Sequence, residues 1–65
     1  MDDLKVGDLA TNVSDALRAA ARRWGDEIPF GILEDVAAVC LAIATERLED
    51  AERLLDTIGE RIAEA

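Results

Sequence analysis

Ala44-Thr45-Glu46-Arg47-Leu48 is the stretch whose reading decides the fold. It lies inside residues 32–63, which are mostly Ala, Leu, Glu, Arg, Ile and Val, and it contains neither glycine nor proline. One apolar stripe crosses it without losing phase: Leu33, Ala37, Cys40, Ala44, Leu48, Ala51, Leu55, Ile58 and Ile62, in steps of three and four. An unbroken helix keeps such positions on one side. From Ala44 onward the steps alternate four and three, the spacing of helices that pair along a seam. Glu49 and Asp50 stand four and three residues before Arg53, as on a solvated outer face. The pattern therefore predicts a single second helix over 32–63. Thr45 offers the other solution. As the cap of a helix starting at Glu46, it would break the segment near 45–48 and give three helices of similar length.

Working outward, a second stripe of Ile32, Val36, Val39 and Ile43 lies about 100° around from the first and stops at Thr45. Upstream, Gly25-Asp26-Glu27-Ile28-Pro29-Phe30-Gly31 reads as a connection, with glycine past one helix end and proline near the next start. Before it, Leu9, Val13, Leu17, Ala20 and Trp24 mark one face of a helix over 8–24. Asp8 suits its positive end, and Arg22 and Arg23 its negative end. Residues 1–7 read as a flexible arm, in which the alternation of Leu4 and Val6 allows a short strand. Leu9, Val13, Leu17 and Trp24 are expected to pack on Ile32, Val36, Val39 and Ile43.

Lengths then govern the assembly. A helix over 8–24 is about 25 Å long, whereas one over 32–63 approaches 50 Å. Folded back as a hairpin, the first helix covers only the Ile32–Ala44 half of the second. The strip beyond it would face water unless another chain covered it. The expected fold is thus all-α, one helical domain: a hairpin of a short and a long helix, assembling as a dimeric bundle. The alternative is a compact three-helix bundle with a break near Thr45–Leu48. In the dimer, Ala44, Leu48, Ala51, Leu55, Ile58 and Ile62 form the protein interface, with Ala44 and Ala51 allowing close approach. No buried polar residue sets a register there, which leaves parallel and antiparallel pairing open.

Leu48-Glu49-Asp50-Ala51-Glu52-Arg53-Leu54-Leu55-Asp56-Thr57-Ile58 resembles the turn and second helix of a tetratricopeptide repeat, with Ala51, Leu55 and Ile58 at its core spacing. The resemblance implies a turn near Glu46–Arg47 and a peptide-binding helical surface. Glu46 stands where the repeat usually has glycine, and no second copy occurs. An ordinary amphipathic helix accounts for the same residues.

Composition excludes more than it assigns. The 65 residues contain no histidine and no tyrosine, and single copies of cysteine (Cys40), serine (Ser14) and lysine (Lys5). Serine and cysteine nucleophiles activated by imidazole are unavailable within one chain. One cysteine supplies neither a zinc site nor an intrachain disulfide. The acids over 46–56 follow a helical spacing rather than that of a calcium loop. Paired-carboxylate chemistry needs an enclosed cleft for which a chain this short has little room. No catalytic residue, cofactor or metal is expected, and the protein reads as non-enzymatic. Cys40, inside the apolar run Val36–Ala44, is expected to be buried. Trp24 reads as a lid over the start of the second helix near Phe30 and Leu33, with a partner hot spot as the other possibility.

The net charge is −8, and it is unevenly placed. Residues 1–25 carry four acids and four bases, so the entire excess falls in 26–65, with eleven acids against three arginines. That half is repelled by nucleic acid and by anionic lipid. The apolar run is far short of a membrane span, no basic segment opens a signal peptide, and the default compartment is cytoplasmic. The expected function is protein–protein contact, of the adaptor, co-chaperone, docking or phage accessory type, with a homodimer or a larger helical protein as partner. The rival is an antitoxin-like or other transcription-linked regulatory dimer that uses Leu4–Val6 with Arg18, Arg22 and Arg23 on DNA.

Overall fold

Three residues reverse the chain where the stripe stays in phase. The computed structural model describes residues 3–65 and forms α1 over Asp3–Trp24, α2 over Phe30–Ala44 and α3 over Leu48–Glu64. At the end of α2 the Glu46 N–H donates to the Ile43 carbonyl at 3.1 Å, and the Arg47 N–H reaches back to the Ala42 carbonyl at 2.7 Å. This nested pair closes a helix when the residue after its end turns left-handed. Glu46 takes that conformation, with φ +63°. A residue with a Cβ enters this region at a cost that glycine avoids. The Thr45 hydroxyl donates to the Leu41 carbonyl at 2.9 Å and accepts the Arg47 Nε–H at 2.9 Å. Thr45 therefore finishes α2 instead of capping α3. Arg47 precedes α3, and Glu49 and Asp50 occupy its first turn, where carboxylates meet the positive helix end.

The expected continuous helix over 32–63 is thereby corrected to two helices. The molecule measures 35 × 18 × 17 Å, well short of the roughly 50 Å that an unbroken second helix would need. The described residues are all-helical with no strand, and of the two architectures read from the sequence the three-helix one is the form adopted.

The other connection follows the sequence closely. Gly25, with φ +63°, ends α1, its N–H donating to the Ala21 carbonyl at 2.8 Å. Pro29 precedes α2, and its carbonyl accepts the Ile32 N–H at 3.0 Å. The start of α1 differs from expectation. Residues 3–7, read as arm or strand, are helical, while Met1 and Asp2 lie outside the described residues. Lys5 in the first turns of α1 pairs with Glu52 of α3 at 2.9 Å. That bond lies along the side of α3, so α1 starts where α3 starts and the two run parallel.

Leu9, Val13 and Ala20 from α1, Ile32, Val36, Val39 and Ala42 from α2, and Ala51 and Ile58 from α3 form the buried core, with no polar side chain among them. Ile28 in the connection and Leu48, Leu54, Leu55 and Ile62 on α3 pack around it. Ile32, Val36 and Val39 of the inner stripe thus lie where the sequence put them, while Ala42 is the fourth buried position and Ile43 packs half-buried beside it. Leu17 does not, at 37% exposed, and Ala16 packs against the core in its place. Across the far end, Arg61 of α3 lies over Gly31 and pairs with Asp35, which sets α2 and α3 antiparallel.

Candidate functional site

The turn at Thr45–Arg47 splits the long stripe into two parts with opposite fates. Its second half faces inward. Ala51 and Ile58 are fully buried, and Leu48, Leu55 and Ile62 are half-buried against the same core. The residues expected to need a second chain are covered by α1 and α2 of their own chain. Of the expected interface set, Ala44 alone lies exposed.

The first half faces outward. Leu33, Ala37, Cys40 and Ala44 are all exposed, joined by Phe30 at 73% and Leu41 at 59%. Cys40, expected inside, is therefore on the surface. The reason lies in the composition of α2, whose fifteen residues include only two charges, Glu34 and Asp35. A helix apolar on nearly all sides suits a buried position. Here α1 and α3 cover one side only, because Ile32, Val36, Val39 and Ala42 take the inward positions. The outward side spans about a third of the helix circumference, and Glu34 is its single charge. The sequence signal for this face was present, since α2 carries two apolar stripes and a three-helix bundle can bury only one.

Trp24 is half-buried against the core and shares a depression with Pro29, Ile32 and Arg61, rather than covering Phe30, which points to solvent. It is not part of the outer face of α2. Two further grooves flank the bundle. One, between α2 and α3, runs beside Leu41 and is bordered by Arg47, Asp50 and Arg53. The other, between α1 and α3, is floored by small residues such as Ala16, Ala19 and Gly59, with Asp15 and Asp56 on its rim. Arg53 pairs with Asp50 one turn away, and Arg18 with Asp15.

The elements of the nucleic-acid reading are dispersed in this arrangement. Leu4–Val6 is helical and offers no strand, Arg18 is engaged by Asp15, and Arg22 and Arg23 close the last turn of α1. No helix among the described residues is long and apolar enough to cross a membrane. No protein-family model, no curated protein and no solved structure matches the chain.

Proposed function

We propose that this protein works by protein–protein contact, without a catalytic step of its own, and that the outer face of α2 is the surface it uses. It is a small acidic helical module of the adaptor or docking kind. One observation carries the reading: Phe30, Leu33 and Leu41 stand exposed along one helix, joined by the small residues Ala37, Cys40 and Ala44 and interrupted by one charge, Glu34. Burying a large apolar side chain is worth about 1.5–3 kcal/mol. Three such side chains left in water, in a chain whose own core yields only about 3–5 kcal/mol net, mark a surface that another protein covers. The acids are confined largely to α1, α3 and the turns, which keeps the remaining surface solvated and leaves this strip with Glu34 as its one charge.

The test is a photocrosslinking amino acid placed in turn at Phe30, at Leu41 and, as a control, at Ala10 on the exposed side of α1, in cells that make the protein. Protein adducts from the two α2 positions and none from Ala10 are expected. Equal adducts at all three positions, or none on α2, would sink the reading.

A further inference from the structure

We propose that the occupant of this face is a second copy of the same chain, laid antiparallel about a two-fold axis that passes by Ala37. The inference rests on the reading of α2 as the contact surface, and it adds both the partner and its orientation.

The outward positions Phe30, Leu33, Ala37, Leu41 and Ala44 follow steps of three and four, the spacing with which two helices can mesh along a seam. A two-fold axis at Ala37 makes residue numbers on facing positions add to 74. Ala37 then meets Ala37, which lets the two backbones approach closely. Leu33 meets the partner copy's Leu41. Phe30, the largest side chain of these five positions, meets Ala44, one of the smallest. Each bulky residue faces a leucine or a small residue, as an isologous interface requires. A parallel pair would stack Phe30 on Phe30 and leave a gap at Ala44 on Ala44.

Charge selects the same orientation. Glu27, in the connection before α2, and Arg47, in the turn after it, are both exposed. The antiparallel pair brings the end of each α2 that carries Glu27 to the end of its mate that carries Arg47, and sets the positive end of each α2 beside the negative end of its mate. A parallel pair would bring like charges together at both ends.

The area agrees with a reversible dimer. The exposed parts of Phe30, Leu33 and Leu41, with the small residues between them, come to on the order of 400–500 Å² per copy, or about a tenth of the 4389 Å² surface of the chain. Pairing buries on the order of 1,000 Å² in total, the lower end of specific interfaces, and a dissociation constant in the micromolar range or weaker follows.

Sedimentation equilibrium of the purified chain, from a few micromolar to about 1 mM, reads the mass directly. Phe30→Glu and Leu41→Glu are made alongside; both side chains are exposed, so helicity by circular dichroism is expected to stay native. Orientation is read from two variants in a Cys40→Ala background, Leu33→Cys and Leu41→Cys, oxidised separately and mixed. The expected result is a concentration-dependent doubling of mass, abolished in both Glu variants, with the mixed 33–41 disulfide at least tenfold over either like pair. A chain that stays single at about 1 mM, a dimer untouched by Leu41→Glu, or a predominance of 33–33 disulfides would each overturn the proposal. Failure here is separable from failure of the parent reading. A single chain in solution whose Phe30 crosslinks to a different protein in cells loses the second copy and keeps the contact surface.

Discussion

Replacing Glu46 with glycine should make this protein more stable, and the sign of the effect reports the fold. Glu46 sits at φ +63° as the residue that closes α2. Its side chain is exposed and takes part in none of the ion pairs described, so the substitution removes no packing. A residue with a Cβ held left-handed costs roughly 1–2 kcal/mol, which glycine avoids. Against this, glycine loosens the unfolded chain by about 0.4–1 kcal/mol. The balance is a gain of roughly 0.5–1 kcal/mol, or a rise of about 3–6 °C in Tm for a chain of this size. In a continuous helix over 32–63 the same position would be interior, and glycine there costs about 0.5–1 kcal/mol relative to a good helix former. Urea unfolding followed by helical circular dichroism, at matched concentrations of both proteins, measures the difference. A fall in stability of about 0.5 kcal/mol or more would refute the left-handed turn and with it the separation of α2 from α3.

Other consequences can be checked on the same material. Ile58→Ala removes a side chain with no exposed surface from the centre of α3. The expected loss of about 2–5 kcal/mol matches or exceeds what a chain this small has in reserve, so helicity at 25 °C should largely collapse; native helicity with an unchanged Tm would place Ile58 outside the core. Gly25→Ala meets no atom within 4 Å of the new Cβ but forces it into a left-handed residue, with φ +63°. A destabilisation of about 1 kcal/mol is expected in urea, and a neutral result would mean that α1 ends differently. Cys40, being exposed, should react with a small aromatic disulfide reagent in the folded chain at a rate within about tenfold of that in urea. Protection by several orders of magnitude at micromolar concentration would put the thiol back inside.

What could be read from the sequence and what could not divide at Thr45. The end of α1 was legible because Gly25 and Pro29 are the residues that the backbone needs at those two places. The inner stripe of α2 was legible because Ile32, Val36 and Val39 are large, apolar and helically spaced, and these are the positions the bundle buries. The α2–α3 turn was hidden because its closing bonds are made by backbone groups, and the left-handed position is held by glutamate where glycine would have announced it. Stripe phase gave no warning either, since a reversal of chain direction resets which side faces inward. Leu33 and Ile62 share one helical stripe on paper, yet Leu33 is exposed and Ile62 packs against the core. The resemblance of 48–58 to the second helix of a repeat did imply a turn near Glu46–Arg47, the position where the chain reverses. The candidate surface followed the same division. Ala44 is exposed, whereas the other residues expected at the interface belong to the half of the stripe that the turn folds inward. Leu33 and Cys40, on the half that remains outside, were assigned to no surface.

A distance across the turn tests the central claim most directly, that α2 and α3 are separate antiparallel helices and that the outer face of α2 is left open as a result. Spin labels on Glu34→Cys and Glu60→Cys, both exposed positions, in a Cys40→Ala chain diluted with unlabelled protein, report the separation within one molecule. The Asp35–Arg61 pair, one residue beyond each label, predicts a distance under about 25 Å. A continuous helix would hold the labels about 39 Å apart, and a distribution centred there would contradict the account.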